Sequence, residues 1–453
     1  MPIDPAFPRR LSLILVAILL GAMLLACDGD SPSNADPSPP PSSTEAVGPT
    51  ASAVPSTPTP IPEPNNTRPF PPDLLERVQP ILDKTAQVRG TPPMGEVQMR
   101  LVGRQDAIDN YKLQYEAEAE QIAVQQDVYR HLGLIADDLD LMKMYLRFLE
   151  LGILAFYSPE HKTFYLIEDQ ISRGVLTDTT LVHEYAHALQ DQYHDLDPTR
   201  EAIEDDWDRS SAYTTLIEGD AVSTENAYFG FVALRRPMCF AIPPVQDLLG
   251  IPFAIQRDIN TWYDDGFCFV QTVTERGTMS TAPLFENPPV STEQILHPDK
   301  YTAGEKPEPV TLSPVLPALG AGWAEIESST LGEYILQNVL VLGLRLRGDR
   351  PRAQAGAAGW GGDAWTLYGN GEARLFQASI VWDSAEEAQQ FFTTLSASLE
   401  ARGGGVQPAS EAGFSARLGA KDWRVGLRGD AVTLLVSADA GALSAAAGAI
   451  GLP

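Results

Sequence analysis

The chain has 453 residues, with 60 acidic against 32 basic, a formal net charge of −28 and 44 % hydrophobic residues. That charge excludes nucleic acid as a partner, because phosphate binding needs a basic surface, and it equally excludes a polybasic grip on anionic lipid. Length and apolar content suffice for two or three domains with cores of their own.

At the N-terminus, Arg9 and Arg10 precede an apolar run from Leu11 to Ala26. The run is too short for a membrane span, which needs roughly 20 residues, so residues 1–26 read as a signal peptide. The run ends in "LLAC", Leu24 to Cys27, which resembles a bacterial lipobox. That resemblance implies cleavage before Cys27 and lipidation of its thiol. The protein would then sit in the bacterial cell envelope, lipid-anchored to a membrane and facing out of the cytoplasm. Residues 28–66 hold no aromatic and no basic side chain. They cannot bury enough apolar surface to offset the entropy of ordering, so residues 27–66 are expected to be a disordered tether. Cys239 and Cys268 are the remaining cysteines, and outside the cytoplasm they are available to form a disulfide.

Residues 67–325 read as a first folded domain. Helical spacing of apolar residues runs through 72–88, 104–135 and 137–154, and these stripes are core. Two short apolar-aromatic runs flank "SPEH" in 153–169 and predict a β-hairpin. The segment 172–180 offers threonine and aspartate N-caps to a helix that carries "LVHEYAHALQ", residues 181–190. Further helices are expected over 208–236 and 259–277, and 285–309 reads as loop. Residues 326–453 change character. "YGNG" precedes an alternating strand at 372–382. A helix from 383 opens with Asp383 and Glu386 in capping-box spacing, and 422–438 forms a second hairpin before an alanine-rich helix. The order ββαββα predicts a small α+β accessory domain.

The chemistry lies in HEYAH. Four residues advance a helix by about 400°, so His183 and His187 project from one face, one turn apart, and can share a tetrahedral ion. Glu184 lies about 100° round, placed to take a proton from water at the ion. A third protein ligand is required. His194 is seven residues past His187, about 10 Å along the helix, and so too far. A metzincin needs glycine and histidine where this chain has Gln190 and Tyr193. A carboxylate on the following helix remains: Glu218, Asp220 or Glu225 in and after "TTLIEGDAV". Asp220 could instead orient a ligating imidazole from behind.

HEYAH followed by an "EGDA" helix resembles the gluzincin, or thermolysin-like, zinc metallopeptidases, over roughly residues 150–300. The resemblance implies a mostly helical zincin-like fold with a small sheet and one zinc ion. It implies His183, His187 and Glu218 as ligands and Glu184 as general base. Peptide or protein would be the substrate, paired with an edge strand before the zinc helix, for which "KTFYLIE", 162–168, is the candidate. Such enzymes add a tyrosine or histidine that stabilises the oxyanion. His297 and Tyr301 are the first candidates, with Tyr228 and Tyr263 behind them. The rival reading is a non-catalytic envelope lipoprotein, a binding or assembly module with a degenerate metal site.

Overall fold

The computed structural model describes residues 61–173, 177–230, 239–240, 250–274, 281–345 and 348–452. Cys27 and the tether up to residue 60 lie outside the described residues, as does 231–236 of the expected helix. Residues 61–66, read from composition as tether, pack on the fold. The carbonyls of Ile61 and Pro62 meet His161 Nε2 and Asn110 Nδ2, and the Asn66 side chain donates to Asp106. No helix among the described residues is long and apolar enough to cross a membrane.

The architecture is mixed, with helices and two sheets. The first sheet has the order β1 (Arg68–Pro69), β2 (Gln98–Val102), β4 (Thr163–Ile167), β3 (Ala155–Ser158). Strands β2 and β4 run parallel, the other pairs antiparallel. The parallel step requires a crossover, supplied by helices α2 (Arg104–Ala117), α3 (Ala119–His131) and α4 (Leu141–Gly152). The expected hairpin is β3–β4, but "KTFYLIE" is not the edge. β2 covers its outer side, and β3 ends the sheet. All five residues of β4 are buried because both faces are covered. Phe164 and Leu166 pack with Leu181, Tyr185 and Leu189, while Tyr165 and Ile167 point into the main core with Tyr111 and Phe156.

Helix α1 (Pro72–Arg89) starts with proline in its first turn and stops at Gly90, whose φ of +73° suits a residue without Cβ. It packs against α5 (Asp178–His194), capped by Thr177, whose hydroxyl accepts from Thr180 N. Helix α6 (Trp207–Tyr228) lies across α5. After it, α7 (Phe253–Asn260), a π-turn (Thr261–Asp265) and α8 (Gly266–Val273) make one continuous helical rod. The segment 285–309, expected as loop, carries short helices at Thr292–Leu296 and Pro298–Ala303, the first capped by Ser291.

The C-terminal sheet is larger than ββαββα. Seven antiparallel strands take the order β5 (Ala324–Ser329), β6 (Trp360–Asn370), β7 (Ala373–Trp382), β11 (Ala431–Ser437), β10 (Lys421–Arg428), β9 (Gly413–Leu418), β8 (Gln407–Ser410). The two expected hairpins are β6–β7 and β10–β11. Helices α9 (Gly332–Leu344) and α10 (Ala385–Ala401) pack on one face and α11 (Ala440–Ile450) on the other. The cap of α10 is Ser384, which accepts from Glu387 N, so the capping box sits one residue past Asp383 and Glu386. The cut at 325/326 falls inside β5. One hydrophobic core holds Tyr111, Tyr145 and Ile259 together with Leu336, Trp365 and Phe391.

Cys239 and Cys268 form a disulfide with their Cα atoms 5.5 Å apart. It closes a span of 29 residues onto α8, which by loop-closure entropy contributes about 3.5 kcal/mol. Cys268→Ser should therefore lower the unfolding free energy by roughly that amount in denaturant titration. A loss indistinguishable from zero would mean the pair does not constrain the unfolded chain.

Candidate metal centre

Helix α5 presents His183 and His187 on its buried face, and α6 presents Glu218 opposite them. His187 Nε2 lies 3.1 Å from His183 Nε2, and Glu218 Oε2 lies 3.2 Å from His183 Nε2 and 3.5 Å from His187 Nε2. Donors held 2.0–2.1 Å from a tetrahedral ion lie about 3.3 Å from one another, so the spacing fits a single small cation. The two rings stand nearly perpendicular, at 87°. The donor set, two imidazoles and one carboxylate, suits zinc.

Two glycines set how closely α6 approaches α8. A Cβ on Gly219 would sit 2.1 Å from the carbonyl carbon of Gly266, and one on Gly266 would sit 2.4 Å from the Thr215 carbonyl oxygen. With neither present, α6 and α8 touch backbone to backbone. The "EG" of the EGDA helix thus has a packing cause independent of any ligand. The same approach brings the π-turn over the site. Its Tyr263 ring lies 5.6 Å from the His183 ring, and its hydroxyl hydrogen-bonds Glu218. Among the described helices, the one π-turn lies over the donors, where such insertions commonly sit.

Each donor is held from behind. His183 Nδ1 meets Glu225 Oε1 at 2.5 Å and His187 Nδ1 meets Gln190 Oε1 at 2.8 Å. Gln190 donates to Asp220 Oδ2 and to the Ile217 carbonyl, and Asp220 is paired in turn with buried Arg89. Asp220 therefore supports His187 through Gln190 rather than touching an imidazole. Glu225, a rival for third ligand, supports His183 instead. Glu225 was legible as seven residues past Glu218, two turns along one face. Gln190, three past His187, was legible likewise.

Glu184 is buried beside the donors and accepts a hydrogen bond from Tyr157 N–H of edge strand β3 at 3.0 Å. Burial raises its carboxyl above the usual range, against the pull of His183 and His187. Burial also opposes ionisation of Glu218, but the imidazoles, His187 foremost, bring it down to about 2. Desolvation disfavours the His183 imidazolium, yet Glu218 and Glu225 hold its pKa well above the histidine range.

The first-choice oxyanion residues lie elsewhere. His297 caps a short helix and bonds Glu333 on α9 at 3.0 Å, while the Tyr301 hydroxyl donates to the Asn287 carbonyl. Tyr228 donates to Asp178 at the start of α5. Of the tyrosines considered, Tyr263 is the one against the donors. A second acidic cluster, Glu293, Glu305 and Asp383, closes on the Lys300 ammonium at 2.6–2.7 Å, which fills the place a cation would take.

The family model that matches the chain is a domain of unknown function, DUF8575, over residues 320–447. The match covers the C-terminal sheet and stops short of the donors. No curated protein and no solved structure matches the chain.

The glycine contact is directly testable. Gly219→Ala and Gly266→Ala should each cost about 1–3 kcal/mol of stability, the usual penalty of overpacking. Both should weaken metal binding, because the crossing that carries Glu218 must open. Full metal affinity in a folded Gly219→Ala chain would show that the crossing does not set the ligand geometry.

Proposed function

We propose that the chain is a zinc-dependent peptidase with a zincin-like catalytic unit. The observation that carries this reading is the triangle of His183 Nε2, His187 Nε2 and Glu218 Oε2, 3.1–3.5 Å on a side, with buried Glu184 beside it. His183, His187 and Glu218 would hold a zinc ion, which would supply Lewis acidity for the scissile carbonyl and for the attacking water.

Glu184 takes the proton of the attacking water. Its raised pKa suits it to hold that proton and pass it to the leaving amine. Tyr157 N–H fixes one carboxylate oxygen, leaving the other for that exchange. The hydroxyl of Tyr263, beside Glu218, is the donor for the oxyanion. Strand β3 has no strand partner on its outer side among the described residues, so an extended peptide can add there as a further strand. Glu225 and Gln190 fix the orientation of the two imidazoles. The "LLAC" sequence and the Cys239–Cys268 bond support an envelope lipoprotein anchored through Cys27.

The test is metal content and hydrolysis on the whole chain. About one zinc per chain is expected, lost in His183→Ala and in Glu218→Ala. Glu184→Gln should keep zinc and abolish cleavage of a peptide library, and cleavage undiminished in that variant rejects the mechanism. Glu225→Gln should weaken zinc binding about 10–100-fold. Tyr263→Phe should keep zinc and lower kcat about 100-fold, the cost of one oxyanion donor. A chain that takes up no zinc when supplied with it is the binding module instead.

A further inference from the structure

Arg89 closes helix α1, and its guanidinium reaches across to α6. The whole contact is buried: Arg89 is 3 % exposed, and Asp220, Thr224 and Gln190 are fully covered. Arg89 Nη2 meets Asp220 Oδ2 at 2.5 Å, and Nη1 donates to the Thr224 hydroxyl at 2.9 Å. That hydroxyl donates in turn to the Asp220 carbonyl at 3.0 Å. Arg89 is thus fixed to a single turn of α6, the one that follows Glu218.

The hydrogen bonds beyond Asp220 have a forced polarity. Asp220 Oδ2 also accepts from Gln190 Nε2 at 2.7 Å, and the same amide nitrogen donates to the Ile217 carbonyl at 2.8 Å. A carbonyl and a carboxylate accept, and a guanidinium only donates. The Gln190 amide therefore has one orientation, with its nitrogen toward α6 and Oε1 toward His187 Nδ1, 2.8 Å away. An amide oxygen accepts, so the hydrogen of the neutral His187 ring sits on Nδ1. Nε2 then turns its lone pair to His183 Nε2 and Glu218 Oε2, where a metal would be held.

The ion pair is not built for its own strength. An arginine and a carboxylate bind best through two parallel bonds. Here one oxygen serves both Arg89 and Gln190, and Arg89 Nε and Asp220 Oδ1 are buried without a partner. Such atoms cost free energy, and a pair serving stability alone would engage them. The pair also adds no net charge to the site. His183 faces the carboxylate of Glu225 directly, whereas His187 is oriented by a neutral amide whose supporting carboxylate is already matched.

We propose that Arg89 is a positioning residue of the metal centre: through Asp220 it holds the Gln190 amide so that His187 keeps its hydrogen on Nδ1 and offers Nε2 to the metal. The proposal rests on the zinc reading for its consequence, and on the hydrogen bonds alone for the place of the hydrogen. It gives α1, which supplies no ligand, a part in the site.

The experiment reads the His187 ring in the metal-free whole chain by long-range proton–nitrogen NMR on isotope-labelled histidine. His187→Ala identifies the signal among the 6 histidines. At a pH where the ring is neutral, a single Nδ1–H form is expected. Arg89→Met/Asp220→Leu removes the ion pair without leaving a lone buried charge. It should mix the two ring forms and weaken zinc binding about tenfold. Arg89→Lys, which keeps a donor on Asp220, should restore the Nδ1–H form and most of the affinity. A neutral ring with its hydrogen on Nε2 in the unaltered chain overturns the proposal without recourse to any variant. A double variant that keeps the pure Nδ1–H form overturns it whatever its zinc affinity, because a purely structural pair would change stability and leave the ring as it is. An Arg89→Lys chain that behaves like the double variant overturns it too. Mixed ring forms with zinc affinity unchanged reject the role at the metal. An unaltered chain that shows the Nδ1–H form but takes up no zinc rejects the zinc reading and leaves the hydrogen-bond chain standing.

Discussion

The structure depends on how negative charge is cancelled where α5 and α6 cross. Around that crossing five carboxylates on these two helices are buried, and desolvated carboxylates are costly unless each finds a positive partner. Two are matched within the protein: Asp220 by Arg89 and Asp191 by Lys162. Glu184, Glu218 and Glu225 remain, all under 6 % exposed, facing two imidazoles that must be neutral to bind a metal. A divalent cation at the triangle of donors would cancel most of this charge, which a proton on His183 would otherwise have to do. The elevated His183 and depressed Glu218 are the signature of that demand when only protons are available.

Beside that crossing, α6 and α8 lie closer than ordinary side chains allow. Gly219 and Gly266 provide the approach, and the π-turn before Gly266 absorbs an extra residue so that Tyr263 arrives over the imidazoles. The disulfide from Cys268 fastens α8 two residues beyond Gly266. The site is thus a property of the α6–α8 contact as much as of the HEYAH helix. That explains why Glu218 is followed by glycine in a helix where glycine costs up to about 1 kcal/mol relative to alanine.

Much of this was legible because helices repeat. The four-residue spacing of His183 and His187 fixes their common face, and the buried stripe before Glu218 marks its helix as internal. What escaped are features set by partners distant in sequence. β4 reads as an edge strand because nothing local announces β2, only five residues long and some 60 residues earlier. Its uniformly apolar sequence carried the signal, since a strand buried on both faces does not alternate. His297 was chosen for its residue type, yet its ring is fixed by Glu333, 36 residues away on α9. Tyr263 ranked behind His297 and Tyr301 because a π-turn rotates a side chain in a way that helical spacing does not anticipate. The C-terminal strands β5, β8 and β9 are short or polar at many positions, and pairing rather than pattern defines them.

The C-terminal sheet gains a physical role from this arrangement. Its helix α9 lies on the strands by one face, and from its N-terminal end Leu331, Tyr334 and Ile335 reach an aromatic cavity. The N-terminus of α9 is fixed from both sides. Asp363 of β6 accepts from Leu331 N and Gly332 N, while Asp208 at the start of α6 lies where a Cβ on Gly332 would go. Gly332, at φ +76°, is what lets the three segments meet. The sheet therefore holds one wall of the cavity in register with α6, the helix that supplies Glu218. In that arrangement residues 320–447 are not an appendage, because Leu331, Tyr334 and Ile335 wall a cavity that α6 also lines through Ser211 and Thr214.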